Sequence, residues 1–356
     1  MTNYLISGIG PGDTGGVGRL MKILVPTYKN NDFKIIHNRH VISIRKLVSD
    51  KKYILAIIEF ITRFVDKKIF YIRCLLVKNS TVVLIHPQTV SYKILFRLVK
   101  YNKVSIYVMD CSFFCIRSYN THPVSNQECF DCLGKINPHM LCHSFPDRIS
   151  KDQNIKYLNK LLGLSGKIKF LAQNIKQKEL LIEHFGKKTS VSIIGMDTKE
   201  VPENSIDYLK KKCNKKYNIV FHGMPHIAKG LLYTIRLADI LSNYSFLIPS
   251  SYSNVLQQAD IQYLPENIDC MDITWDTGLK EYVRCADLVI NPSLWSAPIE
   301  GALVKSASYN KVVATVQSKY GFESEFKGIK NHIRLSDDIE IAARQLSDYL
   351  SKRVSV

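Results

Sequence analysis

Short runs of β-branched and aromatic residues alternate along the chain with longer stretches whose apolar positions recur every three or four residues. That alternation predicts an α/β protein with parallel sheets wrapped by helices. In the first half, strands are predicted at 4–9, 69–75, 82–86, 104–109, 168–172 and 190–197. The pattern restarts at 218–222 and continues with strands at 245–248, 268–273, 287–291 and 312–316, then an amphipathic helix at 339–352. Two such units in tandem predict an N-terminal domain at 1–197, a linker at 198–217 and a C-terminal domain at 218–335. The last segment, 336–356, is expected to pack back on the first domain. Two sheets of this kind form a cleft, with ligands at the carboxyl ends of the strands. Residues 111–147 break the alternation with many turn formers and no period. A loop that long inside a compact domain is either functional or in need of a staple.

Composition narrows this picture only a little. The 356 residues suit two domains, and 46 % hydrophobic with 22 % charged residues excludes a disordered or fibrous chain. Charge changes more. The net charge is +18, and the stretch from Arg19 to Lys103 holds 18 Lys or Arg against four Asp or Glu. An anionic partner for the first half follows: nucleic acid, lipid headgroups or a diphosphate-bearing substrate. A solvated basic face is the plain alternative. No signal peptide and no membrane-spanning run is read. The most apolar segment, 53–65, is interrupted by Glu59 and Arg63 and flanked by Lys51, Lys52, Lys67 and Lys68. Such a segment suits lying on a membrane. The expected location is cytoplasmic, with the nine cysteines reduced or metal-bound.

Three strand-to-helix turns carry candidate chemistry. In Gly15-Gly-Val-Gly-Arg19, glycines let backbone amides approach an anion, although a plain tight turn has the same composition. In Phe221-His-Gly-Met-Pro-His-Ile-Ala-Lys-Gly230, Lys229 stands where a helix opens. A lysine there opposes the helix dipole, so it needs a reason, and gripping a phosphate oxygen supplies one. In Asn291-Pro-Ser-Leu-Trp-Ser-Ala-Pro-Ile-Glu-Gly-Ala-Leu303, Glu300 falls at a helix start. It can accept both hydroxyls of a ribose, or simply favour the helix terminus.

The second and third turns, about 70 residues apart, resemble the second domain of retaining GT-B glycosyltransferases of family four. The run Asp287-Leu-Val-Ile-Asn-Pro-Ser293 adds to the resemblance, which covers nearly the whole chain and is strongest over 218–325. It implies two Rossmann-like domains and transfer of a sugar, with retention of configuration, from a UDP- or GDP-type nucleoside-diphosphate sugar. The implied acceptor is a lipid-linked glycan, in cell-surface polysaccharide synthesis of the capsule, lipopolysaccharide or O-antigen kind. The implied place is the inner face of the cytoplasmic membrane, reached through the basic half, with no catalytic metal and no nucleic acid.

By the same resemblance, Lys229 binds the donor diphosphate and Glu300 the donor ribose. Gly15, Gly16 and Gly18 face the donor phosphates and acceptor. Trp275, within 273–276, falls beside the nucleobase, and Ser293 and Ile299 complete the donor set. There are departures. Pro292 occupies the place of the family's first glutamate, His226 stands in place of an arginine, and Met109-Asp110 replaces a His-Asp pair. Asp110 keeps its position, and with Lys229 it is the catalytic candidate.

Five of the nine cysteines lie between Cys111 and Cys142. Cys115, Cys129, Cys132 and Cys142 could hold a structural zinc through four thiolates, with Cys111, His122, His139 and His143 as alternative ligands. Packed free thiols are the other reading. Other functions fare worse against the residues. A nucleotide-sugar epimerase would need carboxylate pairs in the cleft, and a phosphorylase a pyridoxal lysine and a longer chain. A nucleic-acid module would leave the second half without a role, and aromatics are not interleaved with its basic residues.

Overall fold

The computed structural model describes residues 2–12, 16–39, 44–195, 217–325 and 331–354. Two six-stranded sheets hold the chain together, and every strand pair is parallel. The first has the order β2-β1-β3-β4-β5-β6. Its strands are β1 (Asn3–Ser7), β2 (Phe33–His37), β3 (Thr81–Ile85), β4 (Lys103–Tyr107), β5 (Ile168–Ala172) and β6 (Ser190–Ile193). The second has the order β12-β11-β10-β7-β8-β9. It contains β7 (Ile219–Phe221), β8 (Phe246–Ile248), β9 (Ile268–Cys270), β10 (Leu288–Asn291), β11 (Val312–Val316) and β12 (Asn331–Leu335).

Neighbouring residues in these strands point to opposite faces, and both faces are covered. Ile6, Leu84, Ile106 and Phe170 join one buried cluster, and Leu5, Val83, Tyr107 and Leu171 join another. The second sheet repeats the arrangement with Ile219 and Ile290 on one side and Val220 and Val289 on the other. In each sheet the strand order reverses once, between β1 and β3 and between β7 and β10. The crevice outside such a reversal is where open parallel sheets bind ligands.

Two expectations need correction. The predicted strand at 69–75 is the end of one 24-residue helix, Tyr53–Leu76. Phe70 and Cys74, four residues apart, are buried together while Ile69, Tyr71 and Ile72 are exposed, which is a helical period. The final helix, Ile339–Val354, packs against Leu231–Ile240 of the second domain rather than returning to the first. Its Ala342, Ala343, Leu346 and Leu350 are part of the second core. Edge strands β2 and β12 escaped the pattern because Lys34, Asn331 and Arg334 interrupt their apolar runs. The expected linker 198–217 lies outside the described residues except for Tyr217, which is buried in the second domain.

Candidate functional site

The second sheet delivers its chemistry at the reversal between β7 and β10. After β7, His226 accepts a hydrogen bond on Nδ1 from the Ala228 amide at 3.1 Å and caps the 3₁₀ turn Ile227–Lys229. Gly230 follows at φ 79°, and helix Leu231–Ile240 begins. A Cβ at Gly230 would collide with the Pro292 carbonyl, so only glycine lets the two turns touch. After β10, Glu300 caps helix Gly301–Tyr309. The turns meet in an ion pair between Lys229 Nζ and Glu300 Oε1, and the Ser293 hydroxyl donates to the same oxygen. Lys229 Nζ also lies 4.7 Å from the ring centre of Trp295. Only one of its three N–H groups is needed by Glu300, which leaves two for a ligand.

The first domain roofs this pair. Tyr119, on the 111–147 excursion, meets Trp295 edge-on at 4.6 Å and His226 at 5.3 Å. Burial, then the charges of Asp110 and Glu300, push its phenol up, so Tyr119 feels a carboxylate from each domain. Trp295 is 4 % exposed and belongs to the first domain's core, yet its indole N–H has no partner. A buried donor left open calls for an acceptor.

Further contacts bind the two halves. Asn120 Nδ2 donates to Ser296 Oγ at 2.9 Å, and the Ser296 amide donates back to Asn120 Oδ1 at 2.9 Å. Glu128 accepts from the Ser318 hydroxyl at 2.6 Å, the Lys319 amide at 2.9 Å and the Ser296 hydroxyl. Glu325 accepts the Ile175 and Lys176 amides at the start of helix Ile175–Phe185, where a negative charge is favourable. The cleft is held closed from both domains.

Asp110 sits just past β4 and accepts from the Ser112 amide at 2.9 Å. His86 Nε2, just past the neighbouring β3, lies 3.0 Å from its Oδ2. Burial pushes the Asp110 carboxyl up, but His86 and Ser112 outweigh it and hold the group below its usual range. Met109 leaves no histidine in β4's exit turn, yet one reaches Asp110 from the adjacent strand.

No family model matches the chain, and no curated protein matches its sequence. Solved structures do match over its full length. Sucrose-phosphate synthase from Thermosynechococcus elongatus superposes with a TM-score of 0.58 at 9 % identity, covering 99 % of this chain and 91 % of that one. A trehalose-6-phosphate synthase studied for glycosyl transfer with retention gives 0.54 at 12 %, covering 99 % and 93 %. Anabaena HepE in complex with UDP gives 0.52 at 10 %, covering 99 % and 91 %. The chain has the GT-B fold. At these identities the likeness is one of fold.

Within this GT-B fold the expected site residues separate into groups. Lys229, His226, Ser293 and Glu300 converge, with Tyr119 packed on His226 beside them. Ile299 is partly buried beside Glu300. Trp275 stacks on His222 at 5.2 Å, with Lys305 Nζ 5.0 Å from its ring centre. Lys305 lies on the helix that Glu300 caps, so Trp275 flanks the same element. Burial, then Lys305, push His222 down to about 3, which keeps its imidazole neutral. Gly18 lies instead on the wall of a cavity in the first domain. Gly16 begins helix Gly16–Lys29 with open space around it, and Gly15 lies outside the described residues.

The cysteines sit on the excursion. Burial pushes Cys115, Cys129, Cys132 and Cys142 up, Cys132 to about 11. The charges of Cys132, Cys142 and Cys129 add to the rise at Cys115. Among the described residues no group of three or more His, Cys, Asp or Glu is arranged to hold a metal. Sequence reasoning missed His86, Tyr119, Asn120 and Glu128. His86 carried the one available signal, a histidine placed between a β-branched run and Pro87.

Proposed function

We propose that the chain is a retaining glycosyltransferase of the family-four kind, acting on a nucleoside-diphosphate sugar. The observation that carries this reading is the Lys229–Ser293–Glu300 convergence at the reversal of the second sheet, closed over by Tyr119. In this reading two N–H groups of Lys229 meet the diphosphate, Glu300 turns to the ribose hydroxyls, and Trp275 borders the base. The bond between the sugar carbon and the diphosphate oxygen breaks with its electron pair leaving on the diphosphate. Lys229 stabilises that charge inside a closed, water-poor cleft. The acceptor oxygen bonds the sugar carbon from the same face, and its proton passes to the departing diphosphate. In this reading a sugar hydroxyl accepts from the buried, unpartnered indole N–H of Trp295 once the cleft opens for the donor. Asp110, held by His86, orients the first-domain side of the site. The mechanism calls for no catalytic metal.

The acceptor in this reading is a lipid-linked glycan, as in cell-surface polysaccharide synthesis. Among the described residues no helix is long and apolar enough to cross a membrane. Helix Tyr53–Leu76 nonetheless exposes Ile54, Ile57, Ile58, Phe60, Ile61 and Phe64, with Ile54 76 % exposed. Lysines at 51, 52, 67 and 68 border that surface. An apolar face of this extent with basic flanks matches the inner, anionic face of a membrane. A structural zinc on the four excursion thiols is the sequence's expectation, and the described residues gather no three ligands for it. Cys115, Cys132 and Cys142 are buried and Cys129 is half-buried, and a dication would favour their thiolates.

The test is release of nucleoside diphosphate from a panel of UDP- and GDP-sugars in the presence of membrane lipid extract. Lys229→Ala is expected to lower turnover roughly tenfold to a hundredfold, the worth of a hydrogen bond to a charged group. Turnover near wild type would remove Lys229 from the site.

A further inference from the structure

A cavity of about 1090 Å³ opens in the first domain and is lined by neither Lys229 nor Glu300. It lies at the carboxyl ends of β1 and β3, the reversal point of the first sheet. Its floor is tight. A Cβ at Gly8 would run into the backbone of Thr89, and one at Gly10 into the Asn38 carbonyl. The loop after β3 holds two non-glycine residues in left-handed backbone, His86 at φ 53° and Ser91 at φ 102°. Strain of this kind persists where surrounding structure imposes it, and it gathers at ligand sites.

The wall chemistry is two-sided. Arg39, Arg63, Lys67, Lys68, Lys93 and Arg148 line the cavity against a single carboxylate, Asp66. Arg39 is bound to Glu59 and Asp66, and Arg63 to Glu59. Lys67 and Lys93 have no carboxylate partner among the described residues. The apolar side is formed by Phe64, Phe70, Tyr71 and Tyr157. Phe64 and Tyr71 also belong to the exposed apolar surface of Tyr53–Leu76, so the cavity borders that surface, with Lys67 and Lys68 between the two rings in sequence. A free phosphate would use the cations and leave the aromatic wall idle. A hydrocarbon alone would leave Lys67 and Lys93 without a counter-charge. A phosphate joined to a hydrocarbon uses both.

We propose that this cavity holds the phosphate or diphosphate of a lipid-linked acceptor, bound by Lys67 and Lys93, with its hydrocarbon running along helix Tyr53–Leu76. The inference rests on the reading of the chain as a transferase to a lipid-linked acceptor. It adds where that acceptor sits and which groups grip it. Gln88 connects the cavity to the rest of the first-domain site, since it lines the cavity and its Oε1 accepts from Ser118 Oγ at 3.0 Å on the excursion.

The experiment uses the full chain and phosphatidylcholine vesicles carrying, at equal charge, either a polyprenyl diphosphate or phosphatidylglycerol. Wild type is expected to bind the diphosphate vesicles about tenfold more tightly. Lys67→Ala/Lys93→Ala is expected to lose that preference while still binding phosphatidylglycerol in a salt-sensitive way. Equal binding of both vesicles by wild type overturns the proposal, and so does a double variant that keeps the preference. A variant that weakens on both vesicles in proportion reveals only a charged face and overturns it too. Displacement by inorganic pyrophosphate at matching concentration would remove the lipid half of the claim. Nucleoside-diphosphate binding by the same wild-type preparation reports on the donor reading separately. Nucleotide binding without lipid preference sinks this inference alone, and lipid preference without nucleotide binding sinks the donor reading alone.

Discussion

Burial, then the charges of Glu128 and Glu300, push the Glu323 carboxyl up from 4.5 to about 7. Three carboxylates from different segments therefore share one corner of the interface between domains. The folded chain keeps a proton on Glu323 that the unfolded chain has already released between about pH 4.5 and 7. Its contribution is present at the acid end and is lost as pH rises through about 7. Glu323→Gln is accordingly expected to gain thermal stability relative to wild type as pH is raised from about 5 to 8. Parallel melting curves across that range would contradict the assignment. Lys229 and Glu300 were legible in the sequence because each follows a strand at a turn with its own local grammar. Tyr119, Asn120 and Glu128 were not, because their partners lie more than a hundred residues away and no periodicity marks such contacts.

Between single residues and domains stand two elements whose sequence is easily misread. Helix Tyr53–Leu76 has a second half, Ile69-Phe-Tyr-Ile-Arg-Cys-Leu75, rich in the residue types that favour strands. Lys67 and Lys68 divide the apolar run, so its two pieces look like separate elements. One continuous helix forms because its buried and half-buried positions 56, 59, 62, 63, 66, 70 and 74 recur at helical spacing, and most of its other apolar residues face outward. The excursion 111–147 poses the opposite problem, a segment with almost no regular structure that still packs tightly around Phe113, Phe114 and Ile116. If four thiolates grip zinc there, the purified protein carries about one equivalent, released when the thiols are titrated with a mercurial. Metal-free protein with an unchanged melting temperature would leave free thiols as the correct reading.

As a whole molecule the chain is two sheets that meet through loops rather than through strands. The fold was readable because ten of the twelve described strands stand out in sequence as short β-rich runs, whereas β2 and β12 were lost where Lys34, Asn331 and Arg334 interrupt them. The closure of the cleft was not readable, since Glu325 reaches a helix start and Asn120 a serine in the other half. Those contacts place Tyr119 over the Lys229–Glu300 pair, and they must yield for a donor to enter. The most direct measurement is calorimetric titration of UDP and of GDP into wild type and Lys229→Ala. One of the two nucleotides is expected to bind wild type, with the variant weaker by roughly tenfold to a hundredfold. Binding of neither nucleotide, or undiminished binding by the variant, would contradict a donor site built on that pair.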